Sequence, residues 1–136
     1  MKKKYLLNNI SDIKIDIKEP CIIFLHGDLG AGKTTFSKYI LQKILQITDD
    51  ITSPTYTYYN SYKNHIHFDL YRLENYDEFF AIGGEDILDN LSGVALIEWP
   101  KVISPYYKPD IEIFLRKTED ENMREIEVIP YNKKHV

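Results

Sequence analysis

The sequence is poor in several features that define large classes of protein. Its one cysteine, Cys21, cannot form a disulfide within the chain, and a reducing cytoplasm is the expected location. Six glycines and six prolines among 136 residues exclude collagen-like and low-complexity chains. No apolar run approaches the roughly 20 residues of a membrane span, and the basic start at Lys2–Lys4 precedes only a very short apolar segment. We therefore expect a soluble protein without a signal peptide or membrane anchor.

An excess of basic residues is also lacking. The chain has 17 Lys and Arg against 21 Asp and Glu, a formal net charge of −4. Proteins that bind nucleic acid mainly by neutralising phosphates cluster Lys and Arg, so any RNA contact is expected to be indirect, local or shared with partner proteins. Between Leu73 and Pro100 there is no Lys or Arg, while seven acids fall there. This stretch is either a solvated face or a docking face for a basic partner.

Hydrophobic periodicity predicts an alternation of strands and helices. Cys21–His26 and Val94–Ile97 are apolar runs typical of buried strands, and Lys33–Gln46 repeats apolar residues at helical spacing. The other predicted elements are strands at Thr55–Tyr59 and His65–Leu70, two short helices within Asn75–Leu91 separated by Gly83 and Gly84, a strand and loop over Tyr5–Glu19, and a hairpin built on Ile111, Ile113, Leu115, Ile126 and Val128.

A glycine-rich segment follows the first buried strand and opens the first predicted helix. Gly27–Thr34 fits the phosphate-loop pattern G-x-x-x-x-G-K-[ST] in the required strand-to-helix context. Its backbone amides are expected to bind phosphate, Lys33 to place a cation on the β- and γ-phosphates, and Thr34 to complete a Mg²⁺ shell. The predicted nucleotide-binding residues are Asp28, Leu29, Gly30, Ala31, Gly32, Lys33, Thr34 and Thr35.

These elements predict one α/β phosphate-loop domain over residues 1–136. No linker, internal repeat or low-complexity tract divides the chain. The expected architecture has three layers, with a mixed, mainly parallel sheet and a C-terminal antiparallel hairpin.

Two acids stand at the ends of predicted strands, where ligands bind in open α/β sheets. Glu98 follows Val94–Ile97, and Asp69 lies at the end of the strand that begins at His65. Phosphoryl transfer needs a carboxylate near the metal and a group that orients the nucleophile, but spacing does not assign the two roles. His65, His67 and Asp69 share a strand face and could instead form a transition-metal site. The alternatives are a hydrogen-bonding role around Asp69 and a surface position for His65.

Ser53-Pro54-Thr55 lies between the first helix and the next strand. Other phosphate-loop hydrolases carry a segment there that senses the γ-phosphate, and Thr55 offers the necessary hydroxyl. An ordinary loop is the alternative. The tyrosines that follow are typical of strand packing, with a stacking or partner surface as the less favoured interpretation; they are Tyr56, Tyr58, Tyr59 and Tyr62.

Four ordered motifs together closely resemble the TsaE (YjeE) family, over about Cys21 to Pro100. They are His26-Gly-Asp-Leu-Gly-Ala-Gly-Lys-Thr-Thr-Phe36, Ser53-Pro-Thr-Tyr-Thr57, His67-Phe-Asp-Leu-Tyr-Arg-Leu73 and Ile97-Glu-Trp-Pro100. Members of this family are bacterial ATPases that assist tRNA threonylcarbamoyladenosine modification. The resemblance implies hydrolysis of MgATP to ADP and phosphate, weak alone and stimulated by TsaD and TsaB. The modified position is the adenosine 3′ of the anticodon in tRNAs that read ANN codons.

The resemblance also implies roles for individual residues. Lys33, Thr55 and Glu98 are the expected catalytic residues, with Glu98 as the candidate water activator. Thr34, Asp69 and Glu98 are the candidate metal ligands, and which of the two acids binds the metal directly stays open. Trp99 occupies a position where family members keep a tryptophan, although a role as a core anchor is equally compatible with the sequence.

Two features depart from the family pattern. The segment before the first core strand is short, where members usually have a longer helical segment, so how the adenine is held is not implied. Lys101 stands where many members have an acid after the Ile-Glu-Trp-Pro motif.

Three other functions could use the same phosphate loop. A small-molecule kinase usually brings arginines to the transferred phosphoryl group, and the chain has only Arg72, Arg116 and Arg124. A GTP-binding switch would need Asp-x-x-Gly, which does not occur, and a guanine-reading Asp where Asn132-Lys133-Lys134 is followed by His135. A non-catalytic scaffold, in which nucleotide binding only orders a complex, is the third.

Overall fold

Strands outnumber helices in the part of the chain that the computed structural model describes, residues 1–131. Short 3₁₀ segments lie at Leu7–Asp12 and Pro100–Val102, and a π-helical turn at Ile40–Ile44 continues the first α-helix. The strands are β1 (Lys2–Leu6), β2 (Cys21–His26), β3 (Tyr59–Tyr62), β4 (His65–Asp69), β5 (Val94–Glu98), β6 (Ile111–Lys117) and β7 (Met123–Pro130). The α-helices are α1 (Lys33–Tyr39), α2 (Tyr76–Ala81) and α3 (Gly84–Asp89).

All seven described strands form one sheet, in the order β1-β7-β6-β2-β5-β4-β3. The central strands β6, β2, β5 and β4 are parallel to one another, whereas β3 and β7 run in the opposite direction. Since β1 pairs antiparallel with β7, it runs with the central strands, so five of these seven share one direction. This arrangement confirms the predicted mixed, mainly parallel sheet, and the β6–β7 pair confirms the C-terminal hairpin.

Helical segments cover both faces of the sheet. Ile23 and Leu96 pack with Phe36 of α1 on one face, and Phe24 packs with Phe79 of α2 on the other. Because β2 and β5 are covered on both sides, they consist of nearly continuous apolar residues rather than alternating apolar and polar ones. The three-layer α/β architecture is therefore confirmed, as are the two short helices separated at Gly83.

The strand predicted at Thr55–Tyr59 is wrong. The N–H groups of Thr57 and Tyr58 both donate to the carbonyl of Pro54, which makes residues 55–57 a turn. Tyr58 then has a positive φ of 68°, and β3 begins only at Tyr59. Aromatic and β-branched residues favour strands, but here hydrogen bonds back to Pro54 hold the backbone in a turn.

The ends of two other predicted segments also differ. The helix predicted over Lys33–Gln46 changes to π-helical geometry at Ile40 and ends before Gln46, whose φ is +58°. At the N-terminus, the strand predicted within Tyr5–Glu19 lies earlier, as β1 at Lys2–Leu6, and a 3₁₀ segment follows where a loop was predicted. Among the helices of the described residues, none combines the length and apolar character needed to cross a membrane.

Candidate functional site

The phosphate loop joins the end of β2 to the start of α1, and its glycines meet specific backbone requirements. Gly30 and Gly32 have positive φ values of 79° and 104°, which side-chain-bearing residues rarely adopt. Gly27 is required for a different reason, because a Cβ there would lie 2.7 Å from the Leu115 carbonyl oxygen. The loop therefore passes close against β6, with its turn at the carboxyl ends of the parallel strands.

Two basic residues of the C-terminal hairpin lie beside this loop. Arg124 donates from Nε to the Ala31 carbonyl at 3.2 Å and from Nη2 to the Gly30 carbonyl at 3.4 Å. Lys117 lies next to Gly30, since a Cβ built there would be 3.4 Å from its Nζ. Neither residue was identified from the sequence, because their approach depends on how the hairpin folds over the loop.

Lys33 is the buried cation of the site, with 5% of its surface exposed. Its ammonium donates to the carbonyl oxygens of Gly27 at 2.5 Å and Asp28 at 3.1 Å, and lies 3.9 Å from the centre of the Trp99 ring. Burial lowers the pKa of Lys33 from its ordinary value, and the negative charges of Glu98, Asp69 and Asp28 oppose that effect. The charged form is thus compensated by carbonyls, nearby carboxylates and an aromatic face.

Glu98 is buried at the end of β5, and its carboxylate is held by side chains from α1 and β4. Oε1 accepts a hydrogen bond from the Thr34 hydroxyl at 2.9 Å. Oε2 lies 2.5 Å from His67 Nε2 and 3.4 Å from the Ser37 hydroxyl. Glu98 thus links the phosphate-loop helix to the neighbouring strand. Ser37, three residues after Thr34 on one helix face, was not predicted although its spacing carries that signal.

Asp69 occupies the same edge of the sheet as Glu98, because the two residues are paired in the parallel register of β4 and β5. Its Oδ2 accepts a hydrogen bond from the Thr55 hydroxyl at 3.3 Å, and its Oδ1 accepts one from the Tyr71 N–H at 3.1 Å. Ser53 in turn lies 2.8 Å from Thr55, oxygen to oxygen. Thr55, which the sequence indicates as a candidate sensor of the γ-phosphate, is therefore in contact with one of the two strand-end acids.

The histidines of β4 have different environments. His65 is 6% exposed, which makes a surface role wrong, and its Nδ1 accepts a hydrogen bond from the Val94 N–H at 3.0 Å. Burial lowers the pKa of His65, an effect that Glu19 opposes and Lys63 reinforces. His67 instead contacts Glu98. Because the two imidazoles have separate partners, the His-x-His-x-Asp pattern does not converge on one point.

The oxygen donors at this edge of the sheet fit a hard cation. Hydroxyl and carboxylate oxygens of Thr34 and Glu98 lie 2.9 Å apart, and Asp69 is in register on the adjacent strand. Across residues 1–131, no three His, Cys, Asp or Glu side chains are arranged to hold a metal ion by themselves. Mg²⁺ is commonly bound by one or two carboxylates together with substrate phosphates and waters, so this donor set suits Mg²⁺ with a nucleotide.

Trp99 directly follows Glu98 and adopts an unusual backbone conformation. Its φ of 57° is left-handed, and its ring lies 4.8 Å from that of Tyr71, centre to centre. Trp99 is half-buried and contacts Lys33, so it borders the site rather than anchoring the core.

Of the other predicted nucleotide-binding residues, Leu29 is 61% exposed at the turn of the loop and Thr35 is also exposed. Their backbone N–H groups, rather than their side chains, are the parts expected to meet phosphate. Ala31 is fully buried, and its N–H already donates to the Asp28 carbonyl at 3.0 Å.

Comparisons with known proteins identify relatives that match most of the chain. The family model "Threonylcarbamoyl adenosine biosynthesis protein TsaE" matches residues 3–126. Proteins named tRNA threonylcarbamoyladenosine biosynthesis protein TsaE are similar in Nostoc (40% identity, covering 82% of this chain and 71% of the relative) and Treponema pallidum (38%, 82% and 84%). The crystal structure of Bacillus subtilis YdiB superposes with a TM-score of 0.62 at 28% identity, covering 93% of this chain and 82% of that one.

Proposed function

Because the chain belongs to the TsaE family of threonylcarbamoyl adenosine biosynthesis proteins, we propose that it hydrolyses ATP to ADP and phosphate within a tRNA modification complex. One observation carries the proposal. Lys33 and Thr34 of the phosphate loop lie at the same edge of the sheet as Glu98 and Asp69, and Thr34 is hydrogen-bonded to Glu98 at 2.9 Å. A cation, a metal-binding hydroxyl and two carboxylates in one place are the parts that nucleotide hydrolysis needs.

The phosphate loop is the proposed nucleotide site. Backbone N–H groups within Asp28–Thr35, other than the Ala31 N–H that donates to Asp28, provide hydrogen-bond donors, and Lys33 provides the positive charge for the β- and γ-phosphates. An ammonium has three N–H donors and Lys33 uses two of them on loop carbonyls, so its third donor can bind a phosphate oxygen. The ammonium is already buried beside the loop and needs only a local movement.

Thr34, Asp69 and Glu98 are the residues proposed to hold Mg²⁺, directly or through water. Bound there with the nucleotide, the ion would neutralise charge that develops on the phosphate oxygens. Thr34 Oγ1 is the proposed direct ligand from the loop, because its position opening the helix is the one that phosphate loops use. Asp69 and Glu98 supply the negative charge that a divalent cation requires.

Glu98 and Thr55 are proposed to position the attacking water. Water oxygen bonds to the γ-phosphorus, the bond to the β–γ bridging oxygen breaks, and ADP, phosphate and a proton are the products. Each carboxylate oxygen of Glu98 has two lone pairs, so Oε1, which accepts from the Thr34 hydroxyl, can also accept a hydrogen bond from the attacking water. Thr55 contributes a hydroxyl from the loop before β3, beside Asp69.

The proposed setting is the cytoplasm, together with TsaD-like and TsaB-like proteins. The modified nucleoside is the adenosine 3′ of the anticodon in tRNAs reading ANN codons, with tRNA contact by this subunit indirect or shared. The net charge of −4 supports shared rather than independent RNA binding. Hydrolysis is proposed to be weak for the isolated subunit and stimulated by its partners, with turnover resetting the complex between rounds.

A gene deletion tests the biological role. We expect threonylcarbamoyladenosine to fall in bulk tRNA digested to nucleosides, and to recover with the wild-type gene but not with Lys33→Ala. Lys38→Ala on the same helix is the matched control and should restore the nucleoside, since Lys38 lies in the last turn of α1 whereas Lys33 begins the helix at the loop. Unchanged modification after deletion, in a cell without a second pathway, contradicts the proposal.

A further inference from the structure

Glu98 is not held by the phosphate-loop helix alone. One of its two carboxylate oxygens, Oε2, is 2.5 Å from Nε2 of His67, whereas its other contact on that oxygen, to Ser37, is longer at 3.4 Å. His67 is fully buried and Glu98 is 2% exposed, so water does not compete for this hydrogen bond. The histidine is therefore the closest partner of the carboxylate.

The second nitrogen of His67 shows which atom carries the proton. Nδ1 is buried and, among the described residues, has no hydrogen-bond partner. A proton on Nδ1 would leave a buried N–H donor without an acceptor and would point a bare Nε2 lone pair at a carboxylate oxygen. A proton on Nε2 satisfies the carboxylate and leaves only an acceptor lone pair unused. The Nε2–H form is consequently the one that the surroundings favour.

We propose that His67 is a positioning residue for hydrolysis: its Nε2–H fixes Oε2 of Glu98 and thereby directs Oε1 toward Thr34 and the phosphate loop. This inference rests on the proposed ATPase function. A glutamate side chain has three rotatable bonds. A hydrogen bond from one of its oxygens to the buried His67 on the adjacent strand removes much of that rotational freedom. Among the hydrogen bonds of residues 1–131, the side chain of His67 has one to Glu98 and none to the loop, so it acts through Glu98.

Matched substitutions separate positioning from folding. In His67→Asn the amide lies near the place of Nδ1 and cannot reach Glu98, whereas in His67→Gln the amide nitrogen extends to about the place of Nε2. His65→Asn is the control, because it makes the same change at a buried histidine of the same strand face that bonds to Val94 rather than Glu98. Each variant is measured for unfolding free energy, ADP affinity and partner-stimulated ATP hydrolysis.

We expect His67→Asn to lower kcat by about 10- to 100-fold, the range typical of residues that orient a ligand group, with KM and ADP affinity little changed. His67→Gln should recover at least part of that loss, and His65→Asn should leave kcat unchanged. Equal kcat in the two Asn variants would overturn the proposal. So would a loss of kcat in His67→Asn that parallels its loss of stability and that His67→Gln does not reduce.

Nuclear magnetic resonance of the ¹⁵N-labelled imidazoles gives a readout that does not depend on hydrolysis. We expect His67 of the nucleotide-free protein to be protonated at Nε2, with its proton shifted downfield by the carboxylate, and this shift to be lost in Glu98→Ala. Protonation at Nδ1 alone would refute the positioning role. If the wild-type protein does not hydrolyse ATP with or without partners, the ATPase proposal fails, and the spectra still decide whether His67 orients Glu98.

Discussion

Replacing Glu98 with glutamine is the perturbation for which the structure makes the most detailed prediction. The carboxylate accepts hydrogen bonds from Thr34 and His67 at 2.9 and 2.5 Å, with Ser37 at 3.4 Å. An amide of the same shape keeps its oxygen as acceptor for His67 and turns its NH₂ group to Thr34, whose hydroxyl can accept instead of donate. The hydrogen bond from His67 then goes to a neutral rather than a charged acceptor, so we expect Glu98→Gln to lower the free energy of unfolding by about 1 kcal/mol.

Hydrolysis should suffer far more than stability in this variant. Loss of a carboxylate that orients the attacking water reduces turnover by about 10²- to 10⁴-fold, while the phosphate loop and Lys33 still bind nucleotide. The assay is phosphate release in the presence of TsaD-like and TsaB-like partners. Nucleotide affinity is followed by the fluorescence of Trp99, the sole tryptophan, which lies 3.9 Å from the Lys33 ammonium.

Glu112 provides a matched control for the same chemical change. Its Oε2 lies 2.6 Å from His26 Nε2 and its Oε1 accepts a hydrogen bond from the Tyr131 hydroxyl, so it also forms a close histidine–carboxylate pair. It has no contact with Thr34 or Asp69 among the hydrogen bonds of the described residues. Glu112→Gln should therefore leave hydrolysis intact. Undiminished turnover in Glu98→Gln, or an equal loss in both variants, would refute the reasoning.

Three further changes have specific expected outcomes. Arg124→Gln removes hydrogen bonds to the Ala31 and Gly30 carbonyls and should weaken nucleotide affinity by about three- to tenfold. The affinity is measured by Trp99 fluorescence titration, and Arg116→Gln on the same hairpin should leave it unchanged. Burial lowers the pKa of His65 in the folded protein. As the pH falls, the unfolded chain therefore binds a proton at this imidazole before the folded protein does. The free energy of unfolding measured in urea should thus fall as the pH drops below about 6.5, and it should fall less steeply in His65→Asn. The same pH dependence of stability in both proteins would contradict this prediction. Asp77→Lys reverses an exposed charge in α2 and should weaken partner association measured by calorimetry if the acidic stretch is a docking face; unchanged affinity would favour a solvated face.

The secondary-structure elements that could be predicted from the sequence are those whose residues are equally buried along the whole element. β2 and β5 are buried on both faces, so their apolar runs identify them, and Gly83 separates α2 from α3 by its positive φ of 86°. The turn after Pro54 could not be predicted in this way. Its tyrosines carry strong strand propensity, while the backbone hydrogen bonds that hold the turn depend on local geometry.

Some residues of the candidate site could be predicted from the sequence, whereas their contacts could not. Lys33, Thr34 and the two strand-end acids could be located because a phosphate loop and parallel strands bring them to one edge of the sheet. The partners of those residues could not, because contacts such as Arg124 with Ala31 or His67 with Glu98 depend on strand register and hairpin packing. Sequence spacing placed His67 beside Asp69, whereas the structure shows that its side chain bonds to Glu98 on the adjacent strand.

The most direct test of the central claim is the rate of ATP hydrolysis by the wild-type protein, measured alone and after addition of its TsaD-like and TsaB-like partners. Lys33→Ala serves as the background in both conditions, since it lacks the cation expected to contact the β- and γ-phosphates. We predict a weak rate for the isolated protein, a clear increase with the partners, and no increase for Lys33→Ala. If the partners leave the wild-type rate no higher than the Lys33→Ala background, the proposed partner-stimulated ATP hydrolysis is contradicted.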